Sequence, residues 1–199
     1  MLMRKIFLCL GILLLGACQE PQMPSPFQAK DVTWQYSHAD FELSDFNGKP
    51  HRLSDFTGKD GKVVVLFFGY THCPDVCPTT LADLAQVMRL LGKDAERVQV
   101  LFITLDPERD TPQLLAKFVP SFHPSFLGLH GDTQATAQAA LSFGVNYAKQ
   151  QGKSGSYTLD HTDAIYLIGL RGKPLLHSRY GTPAEMLAQD IRLLLAIGR

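Results

Sequence analysis

Two cysteines separated by three residues, Cys73 and Cys77, carry the most reactive chemistry in the folded part of this chain. Of the four cysteines in the sequence, Cys9 lies within an N-terminal apolar run and Cys18 ends that run. A thiolate is both the nucleophile of cysteine chemistry and a ligand for soft metal ions. The Cys73–Cys77 pair therefore suits metal binding or thiol–disulfide exchange.

The pair lies between a strongly apolar stretch, residues 63–68, and a segment with helical periodicity. Pro78 suits the first turn of a helix, which predicts Cys77 at or near the helix N-terminus. We expect an exposed thiolate there, stabilised by the helix dipole, with a pKa lowered from about 8.5. Since residues four apart share one face of a helix, the two sulfurs can converge on one ion or on each other.

Four kinds of chemistry have to be weighed for this pair. A structural disulfide would close a five-residue loop and gain only about 2 kcal/mol by chain entropy. A pure disulfide exchanger is disfavoured because the C-x-x-x-C spacing differs from the C-x-x-C of thioredoxin-type proteins. Structural zinc sites take four ligands, usually with more cysteines than remain here. Two thiolates and an imidazole suit Cu(I) better, so the third ligand must lie elsewhere in the chain.

The elements that must position these residues follow the order β-α-β-α and then β-β-α. Apolar runs at 63–68 and 98–105 predict central strands covered on both faces, and residues 81–91 predict a helix that ends at Gly92. Before the first central strand we predict a hairpin across Asn47 and Gly48. After the second central strand we predict a helix from Thr111, a short strand at 126–129, a helix at 134–143 and a loop or excursion at 146–160. The chain is then predicted to form a hairpin from 164–168 and 175–180 and a final helix that begins with a capping box at 182–185. This order predicts an α/β thioredoxin-like fold, with a central mixed β-sheet flanked by helices and an N-terminal β-hairpin.

His161 is the candidate for the third ligand among the seven histidines of the chain. It precedes the predicted strand at 164–168, where a thioredoxin-like fold brings a loop against the cysteines. Asp160 or Asp163 is a candidate to fix its tautomer through a hydrogen bond. By itself, a histidine at a strand entry is more often an ordinary surface residue. His72, beside the first cysteine, is expected to point away from the sulfurs.

The N-terminus has the layout of a bacterial lipoprotein precursor. Residues 1–17 contain two basic residues and then an apolar run too short to span a bilayer, as in a signal peptide. Small residues precede Cys18, which is the predicted lipidation site. Residues 18–38 contain prolines and no apolar periodicity, which predicts a lipid-attached flexible tether. Residues 39–199 then form one domain with its own core.

Charge argues against one class of partner. The chain has 19 basic and 19 acidic residues, and removing Arg4 and Lys5 with the signal peptide leaves 17 against 19. A near-neutral domain gives no electrostatic basis for nucleic-acid binding. The sequence instead predicts a domain held by its lipid anchor to a membrane of the bacterial cell envelope, on the extracytoplasmic (periplasmic) side.

Three blocks of residues resemble the Sco/SenC family of copper chaperones for cytochrome c oxidase assembly. They are residues 68–78, which read FGYTHCPDVCP, residues 105–112, which read LDPERDTP, and residues 160–162, which read DHT. The blocks occur in the order found in the family, and the resemblance extends from about residue 41 to residue 197.

The resemblance implies that Cys73, Cys77 and His161 bind a copper ion, as Cu(I) and also as Cu(II). It implies delivery of copper to the binuclear copper centre of cytochrome c oxidase subunit II, or reduction of the cysteines of that subunit. A copper donor protein or a thioredoxin-like reductant would be a further partner. Asp106 ends the second central strand, at the edge where ligands gather in open α/β sheets, and is a further candidate near the site.

Simpler roles and other functions are also consistent with these residues. Asp106 with the proline after it can turn the chain, while Asp110 or Thr111 caps a helix.

A membrane-tethered thiol–disulfide reductase would use the same redox-active cysteine pair without needing His161. A redox or copper sensor would signal through protein contacts. A metallochaperone is not an enzyme, so enzymatic activity enters only with the reductase.

Overall fold

The structure, a computed structural model, describes residues 25–58 and 60–198 and contains one large mixed β-sheet flanked by helices. The strands of this part of the chain are β1 (Lys30–Asp31), β2 (Glu42–Asp45), β3 (Pro50–Arg52), β4 (Val63–Gly69), β5 (Val98–Thr104), β6 (Leu127–His130), β7 (Tyr147–Gln151), β8 (Tyr157–His161), β9 (Ile165–Ile168) and β10 (Pro174–Ser178). Its α-helices are α1 (Val76–Leu91), α2 (Pro112–Phe118), α3 (Thr133–Ser142) and α4 (Ala184–Ile197). The large sheet has the order β1-β10-β9-β4-β5-β6-β2-β3.

The centre of the sheet is the parallel pair β4 and β5, with Val63 opposite Val98 and Gly69 opposite Thr104. Every residue of β4 is buried. Such a strand has no alternation of apolar and polar residues because both of its faces are covered. On its other side β4 pairs antiparallel with β9, which makes the sheet mixed. This arrangement confirms the predicted thioredoxin-like α/β fold and places the carboxyl end of β4 beside the cysteines.

Helix α1 follows the apolar periodicity of its sequence. Its buried residues include Cys77, Leu81, Leu84 and Met88, which recur at helical spacing on one face. The helix ends where Gly92 adopts a φ of +58°, a conformation that favours glycine. The predicted helix and its end are confirmed, and α1 packs against α4.

The predicted N-terminal hairpin is present as β2 and β3, joined by a turn that Asp45 organises. The Asp45 carboxylate accepts hydrogen bonds from the backbone N–H groups of Asn47 and Lys49, at 2.8 and 3.0 Å. Gly48 takes a φ of +80° in this turn. β2 also pairs antiparallel with β6, which attaches the hairpin to the large sheet.

The segment predicted as a loop or excursion contains a second hairpin, formed by β7 and β8. Among the described residues these strands pair only with each other, so the segment is an excursion, but it is regular structure. His161 is the last residue of β8, opposite Tyr147, and does not lie in a loop. The sequence gives little strand signal here because both faces of the hairpin are largely exposed and Leu159 is its one buried residue.

Two further expectations differ from the structure. The hydroxyl of Thr182 donates to the carbonyl of Arg179, and α4 begins after Pro183 without a side-chain cap, so the predicted capping box is wrong. Residues 28 and 29, placed in the predicted tether, donate their backbone N–H groups to the buried carboxylate of Asp190 at 2.9 and 2.8 Å. β1 follows directly and pairs with β10.

The signal peptide and Cys18 lie outside the described residues. Within the described ranges, no helix combines the length and the apolar character needed to cross a bilayer.

Candidate metal centre

The two predicted site cysteines are free thiols at the start of α1. Cys73 lies half-buried in the loop after β4, and Cys77 is the second residue of the helix. The backbone N–H of Cys77 points at Cys73 Sγ from 3.4 Å. The first sulfur therefore accepts one of the N–H groups that a helix start leaves without an intrahelical partner. Cys77 therefore lies at the helix N-terminus, as the sequence predicts.

Cys77 is fully buried, with 0% of its surface exposed, which differs from the exposed thiolate expected from the sequence. Burial raises the pKa of the Cys77 thiol well above its ordinary value, and the neighbouring charges of Cys73 and Asp110 act in the same direction. The expectation that the helix dipole lowers this pKa is therefore wrong. A buried sulfur loses the hydration of its thiolate, and this loss is the largest cause of the raised pKa of Cys77.

Gly69 at the end of β4 allows this sulfur to lie so close to the sheet. A Cβ atom at position 69 would lie 2.9 Å from Cys77 Sγ and 2.9 Å from Cε2 of Phe102. Real Cβ atoms essentially never approach other atoms this closely. Any larger residue at position 69 would push the sulfur or the ring away.

His161 is brought to the second cysteine across 84 residues of sequence, with its Nε2 atom 3.6 Å from Cys77 Sγ. Its other ring nitrogen, Nδ1, lies 2.9 Å from the carbonyl oxygen of Thr162. A carbonyl oxygen only accepts hydrogen bonds, so Nδ1 carries the proton and Nε2 presents its lone pair. The thiol of Cys77 can donate to that lone pair, which agrees with its raised pKa.

Asp160 and Asp163 are exposed and line a groove of about 470 Å³ together with Cys73, Asp75 and His161. The hydrogen bond that orients the imidazole comes from a backbone carbonyl and not from either aspartate. The groove gives the first sulfur and the imidazole a route to solvent.

Tyr70 has a role at the site that the sequence analysis did not assign. It is 2% exposed, its ring meets the ring of His161 edge-on at 6.0 Å, and its hydroxyl accepts the backbone N–H of Leu159 at 3.2 Å. Tyr70 is the first residue of the loop that leads to Cys73, and it thus connects this loop to the β7–β8 hairpin. The only feature of the sequence that could have pointed to Tyr70 is its position within the motif at residues 68–78.

Asp106 and Asp110 are both buried, and each holds a different part of the site. Asp110 accepts hydrogen bonds from the hydroxyl of Thr104 at 2.6 Å and from the backbone N–H of Thr71 at 2.9 Å, which fixes the loop before the cysteines. The cap of α2 comes from Thr111. Asp106 contacts Arg109 and the β7–β8 hairpin and has no hydrogen bond to the cysteines or to His161.

His72, beside the first cysteine, has polar partners outside the site. His72 is exposed and lies near Thr71 and the Asp110 carboxylate, 3.1 and 3.5 Å from its Nδ1. Within residues 25–58 and 60–198, no three His, Cys, Asp or Glu side chains are already gathered around one point as a complete metal site. In the described arrangement, Cys77 is in contact with His161 through its sulfur and with Cys73 through its backbone N–H.

Comparisons with known proteins agree with the fold and the motifs. The chain is 41% identical over 165 residues to the human protein "SCO2 homolog, mitochondrial", which covers 80% of this chain and 60% of that protein. The chain thus spans about three fifths of the length of its mammalian relatives. A solved structure of Bradyrhizobium japonicum ScoI with copper bound is 40% identical, with a TM-score of 0.71, and the match covers 78% of this chain and 98% of that one.

A SCO1/SenC family lipoprotein from Bacillus anthracis is 25% identical, with a TM-score of 0.65, and the match covers 78% of this chain and 93% of the other. The model of the SCO1/SenC family matches residues 32–196, a range that includes both cysteines, His161 and every element of the large sheet except β1. The chain belongs to the SCO1/SenC family.

Proposed function

We propose that this protein is a copper metallochaperone in which Cys73, Cys77 and His161 bind copper destined for cytochrome c oxidase. The observation that carries the proposal is the 3.6 Å approach of His161 Nε2 to Cys77 Sγ, with the lone pair of that nitrogen directed at the sulfur. Two thiolates and one imidazole suit Cu(I). A relative that is 40% identical has been solved with copper bound, which supports the choice of metal.

Binding requires both thiols to lose their protons. Because burial raises the pKa of Cys77, metal binding at this sulfur displaces a tightly held proton. Cys73 is half-buried and lines the groove with His161, so an incoming copper ion can meet these two ligands first. Closing the site then requires the first sulfur to approach the other two ligand atoms. Cu(II) would use the same groups with one more oxygen or nitrogen ligand, because it prefers tetragonal geometry.

Oxidation of the cysteine pair would switch copper binding off. Two thiols give up two protons and two electrons to an oxidant as the Sγ–Sγ bond forms, and neither sulfur then remains a thiolate ligand. The partner proposed for the loaded protein is subunit II of cytochrome c oxidase, whose binuclear copper centre would receive the metal. A copper donor protein would load the site, and a thioredoxin-like reductant would restore the thiols.

The test is copper titration of the reduced protein with the variant His161→Ala. We expect one Cu(I) per wild-type chain and an affinity lower by about 100-fold or more in the variant, because losing a ligand costs more than the roughly 10- to 100-fold lost with a group that only orients one. The matched control is His72→Ala, which removes an exposed histidine whose ring nitrogen lies near Thr71 and Asp110. An affinity of His161→Ala equal to that of the control would refute the ligand set.

A second candidate function is a membrane-tethered thiol–disulfide reductase. It is favoured by the contrast between a half-buried thiol at Cys73 and a fully buried thiol at Cys77, since exchange needs one accessible attacking sulfur and one resolving sulfur. Complementation of an oxidase-assembly defect separates the two functions. A metallochaperone loses activity in His161→Ala and regains it with added copper, whereas a reductase keeps its activity in that variant.

The proposal includes the organisation of the whole chain. Residues 1–17 would be a signal peptide and Cys18 the lipidated first residue, and the tether would end before residue 28, where the chain joins the copper-binding domain. A bacterial relative described as a SCO1/SenC family lipoprotein supports the anchor. The anchor would hold the domain at a membrane of the cell envelope, on its extracytoplasmic side, where an oxidase subunit is accessible.

A further inference from the structure

The strand that carries His161 has no place in the large sheet. Among the described residues, β7 and β8 pair only with each other. A two-stranded hairpin is at best marginally stable alone in water. The position of the imidazole beside Cys77 therefore depends on side chains that hold the hairpin against the domain.

A network of three residues provides such contacts at the far end of β8. The hydroxyl of Tyr157 donates to Oδ1 of Asp106 at 2.7 Å, and Nε of Arg109 donates to the other carboxylate oxygen at 2.5 Å. One Nη atom of Arg109 donates to the backbone carbonyl of Tyr157 at 2.9 Å. Each carboxylate oxygen of Asp106 thus has a partner, and this residue is only 1% exposed.

The same arginine also stacks on the hairpin. Its guanidinium carbon lies 3.6 Å from the centre of the Tyr157 ring, within the range of a cation–π contact. Arg109 and Asp106 both belong to the turn after β5, so the network joins the hairpin to a central strand of the sheet. A planar guanidinium can stack on a ring and donate two directed hydrogen bonds at once, which an ammonium group cannot do.

The attachment at Tyr157 also fixes the position of the His161 imidazole, because both residues lie on the same strand. Residues 157, 159 and 161 of β8 lie on one face because side chains alternate along a strand. Tyr157 meets Arg109, Leu159 is buried with its N–H on the Tyr70 hydroxyl, and His161 meets Cys77. The intervening Thr158 and Asp160 are exposed. Residues 157 and 161 are four steps apart along the strand, so roughly 13 Å separates the network from the imidazole.

We infer that Asp106, Arg109 and Tyr157 form a clamp that positions His161 for copper, an inference that rests on the ligand role proposed for this histidine. The clamp residues are positioning residues, because they act on the metal site only through β8. Breaking the clamp frees the hairpin, increases the distance between Nε2 and Cys77 Sγ on average, and lowers the affinity for copper.

The principal variant is Arg109→Lys, which keeps the charge but loses the stacking and the paired hydrogen bonds. We expect a loss of Cu(I) affinity of about 10-fold, as for other groups that orient a metal ligand. The matched control is Glu108→Gln, which breaks an exposed ion pair of 2.7 Å with Lys149 between the same turn and the same hairpin. Exposed pairs contribute little, so its affinity stays within about twofold of the wild type.

A double-mutant cycle separates positioning from a general loss of stability. In the background of His161→Ala, the change Arg109→Lys has no further effect on copper affinity if the clamp acts through the histidine. An equal loss in both backgrounds overturns the inference. If Arg109→Lys does not fold, Tyr157→Phe takes its place in the cycle, since it removes only the hydroxyl that donates to Asp106.

A measurement without metal makes the clamp testable apart from the proposed function. In the reduced metal-free protein, backbone order parameters for residues 158–162 are expected to fall from about 0.85 toward 0.6 in Arg109→Lys and to stay unchanged in Glu108→Gln. Unchanged order parameters in Arg109→Lys overturn the clamp. If His161→Ala alone leaves copper affinity unchanged, the ligand assignment fails, and these order parameters alone decide the clamp.

Discussion

The two cysteines of the site differ in a property that their types and spacing do not reveal. Cys73 lines the groove, whereas Cys77 is buried in the first turn of α1. The sulfur of Cys77 packs against Gly69 and faces the Nε2 lone pair of His161. The sequence identifies both residues and the histidine. It does not identify their burial, because burial is set by side chains from β4, β5 and β8 that are distant in the sequence.

The raised pKa of Cys77 predicts how stability depends on pH in the reduced metal-free protein. Burial raises this pKa in the folded state above the ordinary value of a cysteine thiol, so the folded state keeps a proton that the unfolded state loses. The resulting stabilisation is complete below about pH 9 and is lost as the pH rises, by about 1.4 kcal/mol per pH unit. Urea unfolding between pH 8 and pH 9.5, below the ordinary tyrosine pKa of 10.0 at which the unfolded chain gains a tyrosine contribution, measures this slope.

The control for the pH measurement is Cys77→Ser, whose hydroxyl does not ionise in this range. We expect the slope above pH 9 to disappear in that variant. A slope that persists in Cys77→Ser would show that another group is responsible.

The close contact at Gly69 gives a second prediction about a single residue. In Gly69→Ala the added methyl group would lie 2.9 Å from Cys77 Sγ, so the sulfur, the Phe102 ring or the strand must shift. Overpacking of this kind costs about 1–3 kcal/mol. Urea unfolding measures this loss, and copper titration of the same variant is expected to show weaker binding because the second sulfur is displaced. A variant with wild-type stability and affinity would contradict the described packing.

At the scale of elements, periodic patterns predicted the parts of the fold that bury an apolar face. The strands β4 and β5, the helix α1 and the β2–β3 hairpin follow from apolar runs, helical spacing and the Asn47–Gly48 turn. The β7–β8 hairpin has no such pattern because its residues are mostly exposed. Its attachment depends on Arg109 and Asp106, whose motif suggested a turn but gave no sign of the partner strand.

The N-terminal segment is a second element that the sequence did not indicate, and Asp190 predicts its behaviour. This buried carboxylate accepts the N–H groups of residues 28 and 29, so Asp190→Asn leaves one N–H facing an amide N–H₂ group. We expect a loss of about 2 kcal/mol in the free energy of unfolding. Hydrogen exchange is expected to accelerate at residues 28–31, including β1.

The matched control for this element is Asp94→Asn, which removes an exposed carboxylate 3.8 Å from Arg192 of the same helix, α4. A surface pair of this kind is expected to contribute less than about 1 kcal/mol. If Asp190→Asn and the control have the same stability and the same exchange rates, residues 28–31 are not held by this carboxylate.

At the scale of the whole molecule, the site lies at the carboxyl end of the central parallel strands. Gly69 ends β4 and leads to Cys73, while Thr104 ends β5 and leads to the turn that holds Asp106. Open α/β sheets gather ligands at this edge, so the sequence order alone was sufficient to predict where the cysteines lie. The choice of His161 as the proposed third ligand came from its place before the predicted strand at 164–168 and from the family motif, and its distance from Cys77 came from the structure.

The proposed lipid anchor predicts where the full-length chain is found in a bacterial cell. We expect the wild-type protein in the membrane fraction, with an acylated Cys18 as its first residue in mass spectrometry. The variant Cys18→Ser is expected in the soluble extracytoplasmic fraction because one short tether without lipid does not hold a domain to a bilayer. A mature wild-type protein that starts elsewhere or lacks the acyl mass would contradict the anchor.

The central claim is that one copper ion is held by Cys73, Cys77 and His161 together. X-ray absorption of the Cu(I)-loaded reduced protein, compared with Cu(I)-loaded His161→Ala, tests it most directly. The account predicts two sulfur ligands and one imidazole nitrogen in the wild type, with the imidazole signal lost and both sulfurs kept in the variant. An identical ligand shell in the two proteins, or a shell with fewer than two sulfurs in the wild type, would contradict it.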